Sequence, residues 1–188
     1  MDFKDILKNR RSVRFFKPDK IEQNKIDEII ASAVQAPTAM NSQPWAFKII
    51  DDADTITAIS TEAKSHMLSI LADDPHLNSY KEKFEDEKHN IFYNAPLLVI
   101  VYSNNPSPGA AIDCAMAAYT AMLTATDLGL GSCWIGLAHP YLMTDAAIKK
   151  YDLPAPSEYT VVAPLAIGYS KFPISKLPAA EKSTPIIL

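Results

Sequence analysis

The sequence predicts one domain of the α+β class, spanning residues 1–188. Strand-like and helical segments follow one another without the regular alternation that builds a parallel α/β sheet. One segment, 110–128, predicts a helix that is longer and more apolar than the others. With 48% hydrophobic and 21% charged residues, the chain can bury a sizeable core, and no internal repeat indicates a second domain.

Two helices are predicted before residue 36. Asp2 can cap a short first helix whose apolar residues share one face. Pro18 and Asp19 then break the chain, and a second helix runs from about residue 22 to residue 35. The predicted buried stripe of this second helix consists of Ile26, Ile29, Ile30, Ala33 and Val34.

Four short segments predict strands. The clearest is the continuous apolar run 97–102, which is typical of a strand that is buried on both faces. Gly129 and Gly131 end the long helix just before another of these segments. The four predicted strands are 45–50, 97–102, 132–135 and 160–167.

The remaining segments predict helices and a tail. Residues 54–71 have a helical pattern with one interruption, and residues 144–151 predict a small helix. The strongly polar stretch 73–90 predicts a mobile surface helix or lid. The long helix 110–128 is expected to be buried nearly all round, which indicates a subunit interface. From Gly168 onward, weak periodicity predicts an extended tail that needs a partner surface to be ordered.

Charge is unevenly distributed along the chain. Residues 1–20 carry a net charge of +4 in a chain whose net charge is −4, so a local anionic ligand is expected there. A nucleic-acid surface would need basic charge spread over a whole face, and none is expected. The N-terminal segment lacks the apolar core of a signal peptide, and the longest apolar run, 95–102, is too short to span a bilayer. We therefore expect a cytoplasmic protein without a membrane segment.

The two cysteines, Cys114 and Cys133, lie in apolar segments. In a reducing compartment they are expected to be buried thiols. Neither they nor the four scattered histidines have the spacing of metal ligands, so no metal site is expected. The histidines are interpreted as surface residues because none accompanies a nucleophile motif.

The first candidate for chemistry is the Arg-Arg-Ser-Val-Arg sequence after the first helix. If this segment is extended, alternation of side chains places Arg10, Ser12 and Arg14 on one face. Val13 and Phe15 then point into the core. Two guanidinium groups around a hydroxyl are suited to binding a phosphate. The alternative is a solvated basic turn.

Two further segments could present their backbone to a ligand. In residues 36–45, two prolines enclose short polar side chains that could face a planar heterocycle. In residues 128–136, glycines permit a close approach to a ligand, but their spacing is not that of a dinucleotide fingerprint. The alternatives are an ordinary helix-to-strand connection and a helix end followed by a strand.

In combination, these segments resemble the nitroreductase family of flavoenzymes. The family has an early R-R-S-x-R, then A-P-S-x-x-N-x-Q-P-W, an apolar helix, and G-L-G-x-x-W-I-G. This chain has RRSVR at 10–14, APTAMNSQPW at 36–45, FYNAP at 92–96, GLGSCWIG at 129–136 and GYS at 168–170. The resemblance covers nearly the whole chain.

The resemblance implies a fold, a cofactor and an assembly. The fold would be a central, mainly antiparallel sheet flanked by helices, with the long helix at the interface of a homodimer and the tail reaching the partner subunit. FMN would bind at this interface, with two sites per dimer. NADH or NADPH would deliver hydride to flavin N5, and a small electrophilic acceptor, such as a nitroaromatic or a quinone, would then take it in a ping-pong scheme.

The family pattern also implies where the N-terminal segment meets FMN. Arg10 and Ser12 would bind the ribityl phosphate region, with Arg11 nearby. Arg14 would reach the N1/C2 carbonyl edge of the isoalloxazine and act as a catalytic residue. A cation about 4 Å from the negative charge of reduced flavin contributes on the order of 4 kcal/mol at an effective dielectric of about 20.

The isoalloxazine ring is implied to be lined from both subunits. The partner would contribute Pro37, Thr38, Ala39 and Asn41, with Thr38 keeping the hydroxyl of the family's usual Ser. The tail would contribute one basic residue to the phosphate. Lys182 matches its position best, and Lys176 is the second choice. The residues implied to pass beside the ring from the same subunit are Cys133, Trp134, Ile135 and Gly136.

Catalysis in this scheme is implied to need few side chains, since a flavin carries the electron chemistry itself. A backbone N–H of Ile135 or Gly136 would face N5, and both residues are therefore expected to be catalytic. Alternatives stay open. The chain could be a specialised flavin enzyme that dehalogenates or dehydrogenates its substrate, an FMN-binding storage or sensor protein, or a binder of a phosphate ligand without flavin.

Overall fold

The computed structural model describes residues 1–71, 75–104, 108–155 and 157–177. Within these ranges, four strands form one antiparallel sheet in the order β1-β2-β4-β3. All four predicted strands are confirmed, and their ends differ from the predicted ends by one residue at most. The strands are β1 (Trp45–Ile50), β2 (Leu97–Ser103), β3 (Gly131–Trp134) and β4 (Thr160–Gly168).

Seven α-helices flank the sheet in the described ranges. Asp52 caps the third of them by accepting a hydrogen bond from Thr55 N, with 2.8 Å between the atoms. This helix is continuous, so the predicted interruption is wrong: its buried stripe, from Ile56 to Met67, holds the whole length against the core. The helices are α1 (Phe3–Asn9), α2 (Gln23–Ala33), α3 (Ala53–Ser69), α4 (Lys81–Glu85), α5 (Pro108–Asp127), α6 (His139–Leu142) and α7 (Asp145–Tyr151).

β2 separates two hydrophobic cores. Every residue of this strand is buried, as its apolar run predicts. Because side chains alternate along a strand, Leu98, Ile100 and Tyr102 enter one core with α3 and α6. The residues between them enter the other core with α2 and α5. The sheet is therefore the middle layer of the molecule.

The long helix α5 is buried on one side only. Its alanines Ala117, Ala121 and Ala125 are fully buried against the sheet. Ile112 and Tyr119 are 62% and 45% exposed, so the prediction of burial nearly all round is wrong for the single chain. A helix that lies on a sheet buries only the face toward the sheet, and the remaining apolar face needs another partner.

The segment after α1 lies beside β3 and the end of β4. Ser12 forms a parallel bridge with Ser132, and Phe16 forms an antiparallel bridge with Ser170. Val13 is buried as predicted, but the inward aromatic residue is Phe16, and the prediction that Phe15 is buried is wrong. The two bridges join the segment to two different parts of the chain, Ser132 and Ser170. The alternation of inward and outward side chains expected of a single strand is therefore lost between them.

The described part of the tail ends at residue 177. It contains a short 3-10 turn, Ile174–Lys176. The predicted reach toward a partner subunit falls mainly on residues 178–188, which lie outside the described residues. None of the helices in the described ranges combines the length and the hydropathy of a membrane span.

Candidate active site

A cavity of about 450 Å³ lies at the end of β3. Its volume falls within the range of small-molecule binding sites. The cavity brings together one residue of the N-terminal segment with the end of β3 and the residues that follow it. These lining residues are Arg14, Cys133, Trp134, Ile135, Gly136 and Leu137.

Close backbone packing places Arg14 at this cavity. Val13 N donates to Ser132 O at 3.0 Å, which holds the N-terminal segment against β3. A Cβ on Gly131 would lie 2.5 Å from Val13 Cγ2, so only glycine allows this approach. Gly131, which follows the long helix in the sequence, is therefore required by the packing that positions Arg14.

The four polar residues of the N-terminal segment differ in their surroundings. Ser12 and Arg14 are exposed and Arg10 is half-buried, while Val13 between them is buried, as the predicted alternation requires. Arg11 instead bonds to the backbone of preceding residues: its Nη1 donates to Lys8 O and, at 2.9 Å, to Arg10 O. Arg11 therefore supports the shape of the segment.

The two candidate backbone donors beside the cavity are distinguished by the sheet. Ile135 N donates to Pro164 O at 2.8 Å, and the Ile135 side chain is buried in the core. The Gly136 N–H has no hydrogen-bond acceptor in the described part of the chain, and Gly136 is exposed. A donor to a bound ligand is therefore available at Gly136, and the Ile135 N–H is already used.

The loop between α2 and β1 does not line the cavity of its own chain. Three of its residues have a left-handed backbone: Met40 at φ 55°, Asn41 at φ 54° and Gln43 at φ 46°. Gln43 N donates to Thr38 Oγ1 at 3.2 Å, and Gln43 Nε2 donates to Asn41 Oδ1 at 3.0 Å. These bonds fix the loop internally. The predicted ring-lining residues that stay apart from the cavity are Pro37, Thr38, Ala39 and Asn41.

A second group of lining residues comes from residues 80–93, and the sequence analysis, which predicts a surface helix or lid over 73–90, names none of them. Their stretch is polar, and its pattern matches a solvated helix. The signal that could have found them is the FYNAP segment at 92–96, since a turn with Tyr93 at φ 58° and Asn94 at φ 56° directs Tyr93 to the cavity. The second group consists of Tyr80, Lys83, His89, Ile91 and Tyr93.

Positive charge surrounds the cavity. Burial raises the pKa of the Cys133 thiol, and the nearby charges of Arg14 and Arg10 act in the opposite direction. Burial also raises the pKa of Tyr93, against a lowering by Arg14 through charge and a hydrogen bond. The pKa of His89 is lowered by burial first and then by the cations Lys64 and Lys83. A ligand with negative charge therefore fits this cavity better than a cation.

The remaining predicted site residues lie elsewhere. Lys182 is outside the described residues. Lys176 is exposed in the 3-10 turn and does not line the cavity. Both cysteines are buried free thiols, as predicted. Within the described ranges, no three His, Cys, Asp or Glu side chains converge as metal ligands do.

Comparison with known proteins identifies the family. The sequence profile of the Nitroreductase family matches residues 7–169. The chain belongs to the nitroreductase family. The matched residues include the N-terminal segment, the loop before β1 and the chain that leaves β3, so the family match covers each of the three segments considered above.

Relatives with named activities are similar over different shares of the chain. An iodotyrosine deiodinase of Thermotoga neapolitana is 26% identical over 182 residues, covering 94% of this chain and 93% of that protein. A protein of Methanothermobacter thermautotrophicus, provisionally named NADH dehydrogenase/NAD(P)H nitroreductase, is 26% identical over 141 residues. That alignment covers 73% of this chain and 62% of the relative, so the chain spans less than two thirds of the relative's length.

A solved structure has the same fold. The nitroreductase with bound FMN from Bacteroides fragilis superimposes with a TM-score of 0.81 at 27% identity. The superposition covers 98% of this chain and 95% of that structure. The antiparallel sheet with its flanking helices is thus the nitroreductase fold.

Proposed function

We propose that this member of the family is an FMN-dependent oxidoreductase, which takes hydride from NADH or NADPH and passes it to a small electrophilic acceptor. The observation that carries the proposal is the convergence of Arg14 with Cys133–Gly136 around one cavity. The Bacteroides fragilis relative, which binds FMN, supports the choice of cofactor.

The residues at the cavity fit the chemistry of FMN. A phosphomonoester needs cationic and hydroxyl donors, and Arg10 and Ser12 offer both on the outer face of the N-terminal segment. Arg14 lines the cavity, and the charges of Arg14 and Arg10 act to lower the pKa of the Cys133 thiol in the cavity wall. The apolar Ile135 and the aromatic Trp134 offer surfaces for a planar ring. Arg11 is proposed to support this site by its backbone bonds.

When bound, FMN would accept and donate hydride, and the chain would bind and orient it. Arg14 would stabilise negative charge on the reduced ring by its guanidinium. The N–H of Gly136 would donate to the reactive edge of the ring, since Ile135 N–H is committed to β4. The loop residues Pro37, Thr38, Ala39 and Asn41 are proposed to complete the site of a partner subunit.

A homodimer is part of the proposal. Pro37, Thr38, Ala39 and Asn41 of the loop before β1 do not line the cavity of their own chain, and α5 exposes Ile112 and Tyr119. Apolar residues exposed on a helix that lines one core are typical of a protein interface. Light scattering on the purified chain is expected to give the mass of two copies, and a monomer that binds FMN fully would contradict this part.

The direct test is a visible spectrum followed by anaerobic addition of NADH or NADPH. We expect yellow protein whose flavin absorption bleaches on addition. Yellow protein that neither nucleotide bleaches would support an FMN-binding storage or sensor protein. A colourless chain that takes up no added FMN would contradict the proposal and would favour binding of a phosphate ligand by the basic N-terminal segment.

Reductive dehalogenation is a second candidate activity. The Thermotoga neapolitana relative, which is similar over 94% of this chain, is an iodotyrosine deiodinase. The reduced protein should therefore be offered an iodinated phenol beside a nitroaromatic compound and a quinone. Release of iodide at a rate above that of nitro-group reduction would favour this candidate.

A further inference from the structure

The second lining group contains a lysine on the short helix α4. Lys83 on α4 lines the cavity, and its ammonium lies 5.5 Å from the centre of the Tyr80 ring. No ion pair to Lys83 is found in the part of the chain that the structure describes. Lys81 on the same helix instead pairs with Glu85 at 3.7 Å. The two lysines therefore have different surroundings, although they are two residues apart.

A buried lysine adds positive charge behind this lining group. Lys64 on α3 is 5% exposed, and its Nζ donates to the backbone oxygen of Asp86 at 2.6 Å. Its charge and that of Lys83 both act on His89, whereas the carboxylate of Asp86 opposes them there. With Arg14 on another element, cations border the cavity from two parts of the fold.

Aromatic rings lie beside these cations. Tyr80 is stacked on Phe84 with 6.1 Å between ring centres and 23° between ring planes. Tyr93 meets His89 edge to face at 6.1 Å. Trp134 lines the cavity and keeps 39% of its surface exposed. Flat aromatic faces next to cationic side chains favour a ligand that is both planar and anionic.

We propose that the acceptor of this enzyme is an aromatic compound carrying a carboxylate or a similar anionic group, and that Lys83 is the specificity residue that binds this group. The proposal rests on the proposed function, since the acceptor is the second substrate of that reaction. The Tyr80 ring lies beside the ammonium, and Lys64 on α3 and Arg14 on the cavity wall add positive charge.

The test compares 4-nitrobenzoate with nitrobenzene, which has the same ring and nitro group without the carboxylate. Binding to the oxidised, FMN-loaded protein is measured from the change in flavin absorption, so no turnover is needed. We expect tighter binding of 4-nitrobenzoate, and we expect K83M to weaken it about threefold to tenfold while nitrobenzene binding is unchanged. K83R should retain most of the preference, and K81M is the matched control that should leave both affinities unchanged.

Several outcomes would overturn the proposal. One is an equal loss of affinity for 4-nitrobenzoate and nitrobenzene in K83M. Another is a loss of 4-nitrobenzoate affinity in K81M as large as that in K83M. A higher KM for NADPH in K83M with unchanged 4-nitrobenzoate binding would assign the lysine to the nucleotide phosphate. Protein that NADH or NADPH bleaches but that does not prefer the carboxylate would overturn this inference alone. A chain that binds no FMN would overturn the proposed function and the inference with it.

Discussion

The carboxylate of Asp113 accepts a hydrogen bond from the backbone N–H of Ala39, with 3.0 Å between Ala39 N and Asp113 Oδ2. Asp113 is only 6% exposed, on an otherwise apolar part of α5. The bond joins α5 to the loop whose residues 40, 41 and 43 have a left-handed backbone, a conformation that costs free energy outside glycine. We infer that the aspartate positions this loop for the site of the partner subunit.

Replacing Asp113 is therefore expected to weaken FMN binding, although Asp113 is not proposed to contact FMN itself. In D113A the loop loses a charge-assisted hydrogen bond of about 1.5–3 kcal/mol, and we expect the Kd for FMN to rise about tenfold. D113N keeps an accepting oxygen and should bind FMN nearly as well. Fluorescence titration with FMN measures both. D127A, at the exposed end of the same helix, is the control, and unchanged FMN affinity in folded D113A would contradict this role.

Arg14 is expected to set the potential of the bound flavin. Removing its guanidinium in R14A should lower the midpoint potential, by on the order of tens of millivolts, because the reduced ring loses a stabilising cation. R14K should retain part of the shift. Spectroelectrochemistry on FMN-loaded protein measures it, with K17A as the control in the same segment. A wild-type potential in R14A at full FMN occupancy would exclude this electrostatic role.

Local patterns were sufficient for much of the fold. The uninterrupted apolar run of β2 identifies a strand between two cores, and Val13 is buried at the alternating position that an extended segment requires. The same alternation fails at Phe15. It is exposed and packs edge to face on Phe172 at 5.6 Å, because Phe16 is the residue that bridges to Ser170. The burial of Phe16 in place of Phe15 depends on which strand each residue contacts, and no local sequence pattern contains this information.

The sequence motifs name only part of the lining of the cavity. Cys133–Gly136 and Arg14 line one cavity, but the choice between the Ile135 and Gly136 N–H groups depends on the register of β3 with β4. Lys83 and His89 are separated from Arg14 by about seventy residues of sequence, and their stretch has the composition of a solvated helix. Tertiary packing alone brings them to the cavity.

Gly131 is expected to be needed for stability as well as for the site. A methyl group in G131A would lie 2.5 Å from Val13 Cγ2, so Val13 must move out of its buried position. We expect a loss of about 1–3 kcal/mol in the free energy of unfolding, measured by urea titration. G136A is the control, since nothing lies within 4 Å of its added Cβ. Equal midpoints for G131A and wild type would mean that the N-terminal segment can shift at no cost.

A cluster around Glu62 joins α3 to α6 and α7. The carboxylate of Glu62 accepts hydrogen bonds from the hydroxyls of Tyr141 and Tyr151, the latter at 2.8 Å, and pairs with Lys150. Burial alone would raise the pKa of Glu62, but the bonds from these three partners outweigh it and lower the pKa below its ordinary value. The folded chain therefore holds this carboxylate in its charged form more strongly than the unfolded chain does.

This lowered pKa predicts a pH dependence of stability. The contribution of Glu62 is present above the ordinary value of 4.5 and is lost as the pH falls toward the lower folded value, because the unfolded chain binds the proton first. We expect E62Q to be less stable than wild type at about pH 7, with the difference shrinking toward about pH 3. Urea unfolding at each pH measures this difference, and the contributions of the other carboxylates cancel because both proteins contain them. E28Q, an exposed carboxylate on α2, is the control. A difference between E62Q and wild type that is constant with pH would exclude the cluster as its source.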